Sequence, residues 1–151
     1  GARDRQPPVA HRGIADMNFV LHERLAADTL RVGSLPLCEV LLMDDARFPW
    51  LVLVPRVAGA RDIIDLADDD IAQLNRESVQ VQRALRALCA PDKLNVAAIG
   101  NLVPQLHVHH LARFTTDSEW PSPVWGRGTV QRYPEQEKLQ RLTQWRQALG
   151  V

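Results

Sequence analysis

Three of the five histidines in this 151-residue chain fall within four positions, in the run Gln105-Leu106-His107-Val108-His109-His110. Gln105, His107 and His109 alternate with Leu106 and Val108. Side chains on a β-strand alternate between its faces, so the spacing predicts Gln105, His107 and His109 on one face and Leu106 and Val108 towards the core. Imidazole titrates nearest neutral pH and serves as nucleophile, acid, base or metal ligand. The Gln amide donates and accepts hydrogen bonds but takes no proton. Two imidazoles and an amide on one strand face therefore present protonatable, hydrogen-bonding groups to a ligand.

A zinc ion is one such ligand. His107 and His109 supply two donors from one face, but a catalytic zinc normally needs a third protein ligand, and no clear third one stands in the sequence. The expectation is a site without metal.

Composition narrows the partners. Eighteen basic residues balance eighteen acidic ones, and 46% of the chain is hydrophobic. That is the composition of a globular domain, and it argues against a broad nucleic-acid or membrane surface. A small phosphate-bearing ligand needs only a local positive potential. The length suits one domain with a real core. Cys38 and Cys89 lie far apart in apolar contexts and read as buried, reduced thiols. No run of about 18 apolar residues suggests a membrane span. The N-terminus carries no signal-like apolar stretch, so a cytoplasmic location is the default expectation. Residues 1–16, polar and containing Pro7-Pro8, read as a flexible leader, and residues 17–151 as the single domain.

The elements that must position the histidines follow from periodicity. Leu21, Leu25 and Ala26 predict a short helix within Phe19–Leu30, broken by Gly33-Ser34. Leu37–Met43 and Trp50–Val54 read as buried strands across the polar turn Asp44-Asp45-Ala46-Arg47, hence a hairpin. Ile63–Leu66 suggests a helical turn. Asp68-Asp69-Asp70 then favours the positive end of a long helix, with inward positions at 71, 74, 78, 81, 85 and 88. Pro91 ends it. Leu94–Ile99 reads as a strand, Gly100-Asn101 as a turn, and Gln105–Phe114 as the histidine-bearing strand. Trp120 and Trp125, among prolines and glycines, read as packing or dimer contacts. Pro134 opens a last helix with Leu139, Leu142, Trp145 and Leu149 inward. The sum is an α+β domain, an antiparallel sheet with helices on one face.

The run Gln105-Leu106-His107-Val108-His109-His110-Leu111-Ala112-Arg113 resembles the signature of the histidine triad (HIT) family, in which three histidines alternate with apolar residues. Leu51–Pro55 with Arg56, the Asp-rich helix start and the strand–turn–strand before the motif are similar too, so the likeness spans about Phe19 to Phe114. It implies an α+β meander, usually a homodimer, that binds nucleotides or similar phosphate esters. It also implies a hydrolase or nucleotidyl transferase acting at the α-phosphate of dinucleoside polyphosphates, nucleoside phosphoramidates or nucleotide sugars. His107 stands at the middle triad position, where the family places its nucleophile, and His109 at the third, which contacts phosphate. Gln105 departs from the first histidine, and Val57-Ala58-Gly59 follows Arg56 where many members carry another histidine. His110 replaces an apolar residue and should point away from the other three; it reads as a surface imidazole.

In this scheme a His107 nitrogen attacks phosphorus, and the nucleotidyl-imidazole formed is resolved by water or another acceptor. His109, the Gln105 amide and Asn101 are candidate donors to the phosphate oxygens. Arg113 either helps hold phosphate or anchors the strand end. Asp44 or Asp45 would accept from ribose hydroxyls, and Leu25, Leu41 and Met43 would line the base or belong to the core. No cofactor is needed. The reading from another class is a nucleotide-binding module without catalysis, with Gln105 as the mark of its loss.

Overall fold

The computed structural model describes residues 18–151. The expected leader, residues 1–16, and Met17 lie outside them.

Helix α1 (Glu23–Asp28) is shorter than periodicity suggests. The His22 ring accepts from Arg24 N at its start, and the Thr29 hydroxyl closes its end on the Leu25 carbonyl at 2.6 Å. The chain then runs straight into strand β1 (Thr29–Ser34), which the helical reading of this stretch missed. β2 (Cys38–Met43) and β3 (Trp50–Pro55) form the expected hairpin. A single 3₁₀ turn, Ile63–Asp65, precedes the long helix α2 (Asp68–Cys89), β4 (Lys93–Ala97), β5 (Val108–Arg113) and α3 (Glu135–Leu149). The sheet order is β1-β2-β3-β5-β4, and every pairing is antiparallel.

The strand alternation divides the interior in two. Leu51 and Leu53 of β3, with Val108 and Ala112 of β5, pack against Leu74, Val81 and Leu85 of α2 and Trp145 and Leu149 of α3. Trp50, Val52 and Val54, with Leu111, face the other way, where Leu25 of α1, Phe48, Val103 and Val124 cover them. The helices α2 and α3 therefore lie on one face, with the short α1 and the irregular segment after β5 closing the opposite one. In α3, Trp145 and Leu149 point inward as expected, but Leu139 is exposed, as is Leu88 in α2. Cys38 is buried and Cys89 half-buried, both as free thiols.

Candidate active site

β5 begins only at Val108, so Gln105 and His107 lie in the segment leading into it. His107 and His109 still come together, with ring centroids 4.9 Å apart and planes at 76°. Both are buried. Gln105 does not join them as the strand pattern suggested. Its side-chain oxygen accepts from His22 N at 2.8 Å, and its amide donates to the Val20 carbonyl at 2.8 Å. The amide thus ties down the chain entering α1. What Gln105 offers the site is its backbone carbonyl, 2.7 Å from His107 Nδ1. A carbonyl only accepts, so Nδ1–H donates, and the lone pair of the neutral ring is left on Nε2.

His107 borders a pocket of about 370 Å³ walled by residues 61–64 and 98–100 together with Leu106. Arg61 and Asp62 are the charged residues of this wall, and Ile63, Ile64 and Ile99 make its apolar part. Reading 63–66 as no more than a helical turn gave these residues no role; the sequence signal available was their place after the buried β3. Gly100 turns the chain at φ 67°, and a Cβ there would press on the Val103 carbonyl at 3.1 Å. Asn101 follows it, exposed.

His109 sits between two indoles. Trp50 Nε1 donates to His109 Nδ1 at 3.0 Å, and the Trp125 ring lies 5.3 Å away. Burial, reinforced by His107 and His110, depresses the His109 pKa to about 3. Strand parity was the signal for Trp50: it shares a face with Val52, which pairs with His109.

His110 does point away from the other two rings, but it is not a surface residue. It is fully buried against α2, where Nδ1 lies 3.0 Å from the Val108 carbonyl and Nε2 2.8 Å from Ser78 Oγ. Burial holds its pKa down at about 4.

The remaining candidates have structural partners. Arg113 is buried, with Nε and Nη2 on the Asp117 carboxylate and Nη1 on Asn95 Oδ1, and it lies over the rings of Phe48 and Trp120. It anchors the end of β5. Asp44 accepts from Tyr133 N at 2.9 Å and Arg132 Nη1 at 3.1 Å. Asp45 pairs with Arg47, its Oδ2 2.8 Å from Nη2, and accepts from Gln131 N. Both carboxylates thereby hold the segment leading to α3. Leu25 and Leu41 belong to the core on the His109 side of the sheet, with Met43 packed against it.

Among the described residues, no three His, Cys, Asp or Glu side chains gather as a metal site would require. No described helix is long and apolar enough to cross a membrane.

A family model described as the HIT domain matches residues 24–116. The chain belongs to the HIT family. Solved structures agree in fold and sequence. A histidine triad protein from Bradyrhizobium japonicum is 47% identical, with a TM-score of 0.84 over 87% of this chain and 98% of that one. One from Marinobacter aquaeolei is 45% identical, with a TM-score of 0.85 over 87% of this chain and 96% of that one. One from Sinorhizobium meliloti is 40% identical, with a TM-score of 0.85 over 87% and 98%. No match was found among curated proteins. HIT membership brings with it the general expectation of nucleotide hydrolase or transferase chemistry, although some members are non-catalytic.

Proposed function

We propose that this HIT protein cleaves nucleotide phosphate bonds, as a hydrolase or nucleotidyl transferase, through a covalent intermediate on His107. The observation that carries the reading is the 2.7 Å bond from His107 Nδ1 to the Gln105 carbonyl at the edge of the pocket. It fixes the ring and its tautomer, and it leaves Nε2 as the nucleophile. Nε2 attacks the α-phosphorus, forming a P–N bond as the bond to the leaving group breaks. The leaving group departs with the electron pair of that bond. The imidazolium that results keeps its Nδ1–H on the carbonyl. Water then attacks phosphorus, the P–N electrons return to Nε2, and the proton from water passes to solvent. A second acceptor in place of water makes the same step a transfer.

Gln105 in place of a first histidine is compatible with this scheme, because the backbone supplies the orienting group whatever the side chain. The phosphate oxygens fall to His109 and to Asn101 in the adjoining turn. The dinucleoside polyphosphate or phosphoramidate class is the proposed substrate. A homodimer belongs to the same reading. β4 is an edge strand, and the exposed Val96 and Ile99 on and beside it suit pairing with a second copy.

Initial rates on a panel of dinucleoside polyphosphates and adenosine phosphoramidates test the reading, with and without chelator. Turnover of one class that survives chelation and falls at least about a thousandfold in His107→Ala is the expected result. Binding without turnover, or full activity in His107→Ala, would overturn it.

A further inference from the structure

His109 is held on three sides. Trp50 lies 5.6 Å away between ring centroids, Trp125 lies 5.3 Å away, and His107 lies 4.9 Å away. Only one of these neighbours makes a hydrogen bond to the ring, the 3.0 Å contact from Trp50 Nε1 to His109 Nδ1. Indole N–H donates and cannot accept. His109 Nδ1 must therefore be the acceptor, and a neutral imidazole in this position carries its proton on Nε2. The other tautomer would set two N–H groups against each other at a buried contact. The Trp125 indole gives no such help: its N–H is buried without a hydrogen-bond partner among the described residues.

We propose that Trp50 is a positioning residue that locks His109 as its Nε2–H tautomer, making the third triad position a standing hydrogen-bond donor and not a proton carrier. The catalytic consequence rests on the proposed function. As Nε2 of His107 closes on phosphorus, negative charge builds on the non-bridging oxygens. A donor already oriented beside that ring stabilises the charge without reorganising. A ring free to exchange tautomers would offer a lone pair to the same oxygens for part of the time. The groups whose charge reaches His109 are His107 on the same face and His110 on the opposite one. β3 brings only uncharged side chains up to it, Trp50 first among them. The ring therefore stays a neutral donor through the physiological range.

Long-range ¹H–¹⁵N spectra of the uniformly labelled protein read each imidazole nitrogen directly. His109 should show an unprotonated Nδ1 and a protonated Nε2, unchanged from about pH 5 to about pH 8. A protonated Nδ1 in the wild-type protein overturns the proposal, and this reading needs no variant to fold. Trp50→Phe keeps an aromatic ring and removes the donor. It should give a mixed tautomer and lower kcat about tenfold, with KM changed less than about twofold. Trp125→Phe should leave the tautomer as it is. Wild-type tautomer and kcat in Trp50→Phe would contradict the lock. A correct tautomer in a protein that turns over no nucleotide supports the lock and refutes the proposed function. Normal turnover with Nδ1 protonated does the reverse.

Discussion

His109 and His110 are neighbours in the chain, yet β5 sends them to opposite faces of the sheet, one to the indoles and one to α2. Both are disfavoured as cations, with pKa values of about 3 and about 4. In the unfolded chain a histidine titrates near 6.5. As pH falls from about 6.5 to about 4, the unfolded chain takes up protons that the folded one refuses, so stability drops with falling pH in that window. His110→Leu restores the apolar residue usual at this position and leaves Gln82 as a partner for Ser78 Oγ. Its loss of stability between pH 7 and pH 4, followed by urea unfolding, should be smaller than in the wild type by up to about 3 kcal/mol. An unchanged pH dependence would mean that His110 takes up its proton as readily in the fold as in the unfolded chain. At this scale the sequence was informative where alternation sufficed, as for His107 beside His109. It misplaced His110 because the partner that satisfies it, Ser78, lies 32 residues away on another element. It misplaced the Gln105 side chain because the chain it holds, residues 20–22, lies more than 80 residues away.

α2 does more than cover the sheet. Its Glu77 is buried, and the two carboxylate oxygens accept the backbone N–H groups of Leu37 and Cys38 at 2.9 and 2.8 Å. One helix side chain thus satisfies two backbone donors at the start of β2. Glu77→Ala strands two buried donors and should destabilise the fold by about 3 kcal/mol. That change should appear as a lower denaturation midpoint with the m-value unchanged. A loss below about 1 kcal/mol would show that water replaces the carboxylate. The length and inward face of α2 were legible because acidic residues at its start and a 3/4 apolar spacing agree over many turns. β1 was not, since Leu25-Ala26-Ala27 continues a helical pattern into a strand whose stability comes from β2 alongside it. At its free edge, Arg146 donates to the Arg31 and Val32 carbonyls at 2.9 and 2.8 Å. That guanidinium comes from α3, so no local signal foretells it.

Across the whole molecule, the segment after β5 is fastened at both ends. Arg113 holds Asp117, and Asp44 and Asp45 hold residues 131–133, with Val124 and Trp125 laid over the His109 side of the sheet between them. The sequence read Trp120 and Trp125 in this stretch as packing or dimer contacts but could not say what fastens the segment. Two of its anchors, Asp44 and Asp45, are carboxylates that the same sequence assigns as readily to a ligand. The opposite end of the sheet is open at β4. If a second copy pairs there, light scattering gives twice the chain mass at micromolar concentration, and Val96→Asp gives the monomer mass without loss of fold. A monomeric wild type would remove the dimer from the account. Trapping the intermediate on His107 tests covalent catalysis most directly. Protein mixed with excess substrate, denatured at alkaline pH where P–N bonds persist, and digested for mass spectrometry should carry one nucleotidyl group, on the peptide containing His107. Turnover with no adduct at any mixing time, or an adduct on another residue, would contradict the account.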